Sequence, residues 1–261
     1  CGYKQSTVIG CPSMYSQGRD LTIKKTIRKE FKLLLNIKLF DYSNVNIARE
    51  IYNNECCESI DQNIFCPFLF NKDFIDIINE SNKFELMKVF LKYPYEALYL
   101  LSKNRVKLFY DIPIWFDYLK KSEFTFSYGS RIHGSIMSLL SGIPTVLFDC
   151  DARTREIAEF FSIPIDNDRS HSTDISDIFN RSDFKDFNNS FKHKFDDFNK
   201  YMSSRGITKD VSNRYCYDSK ISNIEYVFPP ELDKKTLNML SLELNKFEKY
   251  HYIFDFIRNL F

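Results

Sequence analysis

Phe124-Thr125-Phe126-Ser127-Tyr128-Gly129-Ser130-Arg131-Ile132-His133-Gly134, followed by an apolar stretch and then Gly142-Ile143-Pro144-Thr145-Val146-Leu147-Phe148, decides the fold. Residues 124–127 predict a short buried strand, residues 136–140 an apolar helix and residues 145–148 the next parallel strand, with glycine and proline as punctuation. On the amino side, residues 106–110 predict a strand and residues 114–121 a helix, entered through Asp111-Ile112-Pro113-Ile114-Trp115. On the carboxyl side, Asp149-Cys150-Asp151-Ala152-Arg153-Thr154-Arg155-Glu156 opens a further helix. Such alternation from about residue 106 to 165 means an α/β fold, a parallel sheet covered by helices. In open parallel sheets, ligands bind beyond the carboxyl ends of strands, where helix N-termini point bare N–H groups at anions. Arg131 and His133 belong at that position.

The 36 basic and 35 acidic side chains nearly cancel, and 44% of the 261 residues are hydrophobic. An ordinary globular composition with no net field excludes global attraction to nucleic acid. No apolar run approaches the roughly 20 residues that span a bilayer, and no signal peptide is legible, so the cytoplasm is the expected compartment. Seven scattered cysteines, an odd number, fit reduced thiols. No metal cluster is legible: the Cys56-Cys57 pair has no histidine nearby and no zinc-ligand spacing.

Residues 6–11 predict a strand ending in a Pro12-Ser13 turn, a start so abrupt that the chain reads as the later part of something longer. Residues 21–38 predict a helix with Ile23, Ile27, Phe31 and Leu34 or Leu35 on one face and Lys24, Lys25, Arg28, Lys29 and Lys32 mostly on the other. That basic face reads first as solvated, and second as a docking surface for an anionic membrane or lipid-linked substrate. A helix is expected over residues 45–53, a strand or loop over 64–70, and a helix over 84–101 that Pro94 kinks or divides. Residues 184–201 and, after Pro229-Pro230, residues 232–261 have helical spacing. The division expected is a Rossmann-like sheet domain over residues 1–165 and a helical extension over 166–261, packed on that domain or on a missing N-terminal half.

At the strand-to-helix turn, Arg131 can fork onto a carboxylate or phosphate, and the helix N-terminus beneath can hold a second anionic group. His133 is placed either to transfer a proton near neutral pH or to cap the turn. Arg153 and Arg155 form a second basic pair on the same rim, one of them expected to pair with Asp149, Asp151 or Glu156. Arg19 is expected to face the crevice from the first strand. His171, His193 and His251 read as surface histidines, and Trp115 is expected to pack against the sheet.

Val8-Ile9-Gly10-Cys11-Pro12-Ser13, Ser130-Arg131-Ile132-His133-Gly134, Gly142-Ile143-Pro144 and Asp151-Ala152-Arg153-Thr154-Arg155-Glu156 resemble the polysaccharide pyruvyl transferase family, over about residues 6 to 205. The resemblance implies a glycosyltransferase-B-like fold of two Rossmann-like halves, of which residues 1–165 would be the C-terminal, donor-binding one. An N-terminal half with a carboxylate base and a glycine-rich entry motif has no counterpart in these residues. It also implies transfer of pyruvate from phosphoenolpyruvate to sugar hydroxyls as a ketal. The family's Arg-x-His pair falls on Arg131 and His133, cast as anion clamp and proton donor, with Gly134 and Ser135 offering N–H groups to phosphate and Arg153, Arg155 and Arg19 as further substrate-binding cations. No cofactor beyond the donor substrate is implied. The expected acceptor is a surface glycan or a lipid-linked sugar, with peripheral contact at the inner face of the membrane as a further expectation. A nucleotide-sugar glycosyltransferase of the same fold and a non-catalytic glycan-assembly protein stay open as alternatives.

Overall fold

Leu33, Leu34 and Leu35, none with exposed surface, form strand β1 (Leu33–Leu35) of the computed structural model, which describes residues 7–38, 44–61, 95–103, 105–109, 111–168 and 173–207. A strand covered on both faces needs such a continuous apolar run rather than an alternating one. Around it lie β2 (Cys57–Asp61), β3 (Val106–Leu108), β4 (Phe126–Gly129), β5 (Thr145–Phe148) and β6 (Ile165–Asp166), in the order β3-β2-β1-β4-β5-β6. All five neighbouring pairs run parallel. The chain lays strands outward from β1 to β3, returns, and continues on the other side from β4 to β6. The order therefore reverses between β1 and β4, with Leu33 opposite Phe126 and Leu35 opposite Tyr128.

The fold is thus α/β and Rossmann-like, with helices α1 (Val45–Asn53), α2 (Tyr95–Ser102), α3 (Ile112–Ser122), α4 (Ile132–Leu140) and α5 (Ala152–Phe161) between and after strands, and α6 (Ile175–Arg181) and α7 (Lys185–Ser204) toward the C-terminus. Local chemistry sets the helix limits. Asn44, Asp111 and Asp151 accept first-turn N–H groups of α1, α3 and α5, the usual N-cap arrangement. Gly142, at φ +83, ends α4: its N–H reaches the Leu139 carbonyl and that of Ile143 reaches Ser138, a left-handed cap suited to glycine. Phe187, Phe191, Phe195 and Phe198 make the buried face of α7 and join one core with Tyr15, Ile132, Leu139, Leu147 and Phe161. Tyr15 stacks on Phe198 at 4.3 Å between ring centroids.

Two expected elements are absent. Residues 7–11 carry no strand; the chain instead makes a 3-10 helix, Pro12–Tyr15, that plugs Met14 and Tyr15 into the core, with the Tyr15 hydroxyl donating to the Ile9 carbonyl at 2.8 Å. Residues 21–32 are not helical but extended or irregular, and the helical spacing that joined Ile27 to Ile23 is coincidental, since Ile27 is 94% exposed. Tertiary bonds override the pattern. The Asn188 amide accepts from the Ile23 N–H and donates to its carbonyl, while the Lys25 ammonium donates to the carbonyls of Phe179, Asn180 and Ser182 at the end of α6. The three leucines of β1 suit a buried strand as well as a helix, an ambiguity periodicity cannot resolve. Strand β2 was not anticipated. The expectations for residues 64–70 and 232–261, and for the part of 84–101 before Tyr95, lie outside the described residues.

Candidate anion site at the strand-order reversal

The rim between β1 and β4 is built by backbone approach. Asn36, just past β1, donates its N–H to the Tyr128 carbonyl at 2.9 Å, and its own carbonyl accepts from the Arg131 N–H at 2.8 Å. A Cβ at Gly129 would lie 1.9 Å from the Asn36 carbonyl oxygen, so only glycine fits here. The buried Asn36 side chain donates to the hydroxyls of Ser127 and Ser138, and Ser138 donates onward to the Gly134 carbonyl. This network ties β1, β4 and the first turns of α4 into one unit.

Arg131 is the N-cap of α4, and its side chain makes no capping bond. The Ser135 N–H is taken by the Arg131 carbonyl at 3.0 Å, whereas the N–H groups of Ile132, His133 and Gly134 have no acceptor among the described residues. Ser135 therefore does not offer its N–H to a ligand as expected, because the first intrahelical bond consumes it. Its fully buried hydroxyl has no hydrogen-bond partner among the described residues. Nor does the buried Nε of Arg131. A guanidinium N–H sequestered without an acceptor is unfavourable, and an anion bonded to it removes the penalty. His133 is exposed one residue into the helix and makes no hydrogen bond among the described residues.

The same rim continues across the ends of β1 and β5. Lys38 donates to Cys150 Sγ at 3.2 Å and approaches Asp151 Oδ2 at 3.5 Å. The Cys150 thiol in turn donates to the Ser130 carbonyl and lies 3.3 Å from Thr154 Oγ1. The Thr154 backbone N–H, helped by the Thr154 hydroxyl and Lys38, holds the Asp151 carboxyl down to about 2. Burial works to lower the Lys38 pKa, but its contacts with Cys150 and Asp151 leave it raised overall. The helical spacing of residues 21–38 masks Lys38 in the sequence, where its one signal is the apolar triplet followed by Asn36-Ile37-Lys38.

The remaining cations divide by partner. Arg155 pairs with the buried Asp149 at 2.8 Å, so one member of the Arg153 and Arg155 pair is structural. Arg153 is exposed and has no partner among the described residues. Arg19 has its guanidinium on the Asp196 carboxylate of α7 through two bonds, at 2.8 and 2.9 Å, instead of presenting it toward Arg131. Trp115 lies parallel to Phe109 with centroids 6.0 Å apart, packed beside Leu119 and Phe124. Among the described residues no three His, Cys, Asp or Glu side chains are placed to hold a metal, and no helix is long and apolar enough to cross a membrane.

A parallel sheet whose order reverses beside a bare helix N-terminus and an arginine defines a Rossmann-like unit with a candidate anion site. The chain belongs to the polysaccharide pyruvyl transferase family, whose model matches residues 1–152. That family is one of transferases. The match contains Arg131, His133, Gly134 and Ser135 and stops short of Arg153, Arg155 and the helices after α5, a shorter span than the resemblance read from the motifs. No curated protein and no solved structure matches the chain.

Proposed function

We propose that this protein binds phosphoenolpyruvate at Arg131 and the N-terminus of α4 and acts in the transfer of its pyruvyl group to sugar hydroxyls of a surface polysaccharide or its precursor. The observation that carries this reading is the Arg131 guanidinium with its buried Nε, unpartnered among the described residues, beside the bare N–H groups of Ile132, His133 and Gly134. Family membership supplies the reaction class, and the chemistry explains the residues. Ketal formation protonates the methylene carbon of the enol, bonds two sugar oxygens to the central carbon and expels phosphate. Of the two hydroxyl protons, one replaces the proton that His133 gives to carbon and the other leaves with phosphate. A proton donor beside an anion clamp meets that demand.

His133 is exposed and able to turn toward a ligand; Arg131 holds charge through the transition state. Arg153, without a partner among the described residues, is the cation for a more distant part of the substrate, while Arg155 and Arg19 serve the structure. In this reading the described sheet is the donor-binding half of a glycosyltransferase-B-like protein, at work in the cytoplasm and meeting a lipid-linked acceptor at the membrane's inner face. Binding to the native state raises the melting temperature by mass action, with about 2.7 kcal/mol gained at a hundredfold excess over Kd. The test is the melting temperature and Trp115 fluorescence of the full chain with phosphoenolpyruvate, and separately with uridine and cytidine nucleotides. A larger response to phosphoenolpyruvate, weakened by added phosphate, is expected. A response to nucleotide alone replaces the donor with a nucleotide sugar.

A further inference from the structure

Lys38 and Arg131 both lie just past the ends of neighbouring strands: Leu35 and Tyr128 are paired across β1 and β4, and the Arg131 N–H bonds to the Asn36 carbonyl, two residues before Lys38. The Lys38 side chain does not run out into solvent. It reaches Cys150 and Asp151 beyond the end of β5, and because β4 lies between β1 and β5, it crosses the turn that carries Ser130 and Arg131. Cys150 bonds to the Ser130 carbonyl at 3.7 Å, which holds the lysine's partner against that same turn.

We infer that Lys38 holds the phosphoryl group of the donor while Arg131 holds its carboxylate, an assignment that rests on the phosphoenolpyruvate reading proposed for this site. Phosphoenolpyruvate carries a carboxylate and a phosphate on its central carbon, two anions that two cations neutralise better than one. The planar fork of arginine matches a carboxylate, whereas lysine acts on phosphate as a compact point charge. The Lys38 contact with sulfur is the exchangeable one, since a thiol is a weak acceptor and a phosphoryl oxygen a strong one. Asp151 stays on its own partners, the Thr154 N–H and hydroxyl, and keeps the lysine oriented.

Titration calorimetry on the full chain separates the two groups by using inorganic phosphate, pyruvate and phosphoenolpyruvate as probes. Lys38→Gln is expected to weaken phosphate and phosphoenolpyruvate about tenfold or more, the scale of one lost charge-assisted bond, and to leave pyruvate within about twofold. Lys38→Arg retains most of the phosphate affinity. Asp151→Asn, which breaks the ion pair but keeps a capping side chain, retains it too. Wild-type phosphate affinity in Lys38→Gln overturns the assignment, as does an equal loss for pyruvate or an Asp151→Asn loss matching that of Lys38→Gln. If wild type binds phosphoenolpyruvate, Arg131→Lys weakens it and Lys38→Gln does not, the donor reading stands and the Lys38 assignment falls. If wild type binds neither phosphate nor phosphoenolpyruvate, both fall.

Discussion

The Arg131 N–H donates to the Asn36 carbonyl at 2.8 Å, so the N-cap residue of α4 is tied directly to the chain just past the central strand. This bond sets the height of the guanidinium above the sheet, and it exists because glycine at 129 lets the two backbones meet. The turn that carries Arg131 and the core of the sheet are therefore one mechanical unit.

Gly129→Ala tests that unit. The added methyl meets a backbone oxygen, which cannot rotate away as a side chain would, so β1 and β4 must separate. A loss of about 3 kcal/mol in urea unfolding is expected, at the upper end of overpacking costs, together with weaker phosphoenolpyruvate binding. A variant as stable as wild type means that Asn36 does not approach Gly129 this closely.

Arg131→Lys keeps the charge and discards the fork. Weakened binding of phosphoenolpyruvate with an unchanged melting temperature is the expected result, because the Nε that is buried without a partner among the described residues disappears along with the bidentate geometry. Equal affinity in the two proteins removes Arg131 from the site.

His133→Gln separates chemistry from binding. With a pyruvate-accepting glycan and a protein preparation that turns over, the rate should drop roughly a hundredfold or more while donor affinity changes little. An unchanged rate would assign protonation of the enol carbon to another group.

Asp151 ties α5 to the rim and carries a pH signature. Its carboxyl titrates at about 2 in the folded protein, below its ordinary 3.8, so its contribution is fully present above about pH 4 and disappears as pH falls through about 2. Asp151→Ala should cost about 1 kcal/mol at pH 7, the worth of an N-cap. The gap between variant and wild type should narrow between about pH 4 and 2 in urea titrations. A gap that widens on acidification contradicts the Thr154 and Lys38 contacts.

Phe191→Ala asks whether α7 is part of the sheet's cooperative core. Phe191 has no exposed surface and shares its cluster with Tyr15, Ile132 and Phe161. A loss of about 3–5 kcal/mol is expected, with helix content and Trp115 fluorescence lost in one transition. Two separated transitions would make α7 an independent layer.

Elements between residues 106 and 161 were legible because short apolar strands there alternate with helices under strong punctuation: Pro113, Gly142 and Pro144 break the chain, and Asp111 and Asp151 cap helices α3 and α5. Before residue 62 the signal fails where tertiary bonds replace local ones. Asn188 and the carbonyls at the end of α6 hold residues 23–25 extended, and no pattern within residues 21–38 encodes partners about 150 positions away. Tyr15 likewise entered the core through phenylalanines of α7 rather than through a strand of its own.

By itself the sequence determined a parallel α/β sheet and an arginine and histidine at one strand-to-helix turn, since both depend on local periodicity and on turn residues within a few positions. Only the tertiary structure decided that β1 is Leu33–Leu35, that the strand order reverses beside Arg131, and that Lys38 reaches Cys150 while Arg19 goes to Asp196. The physical reason is that strand order and ion pairing are settled by contacts between residues far apart in the chain. A cation's identity shows in the sequence, but the anion it meets is chosen by the packing of the sheet.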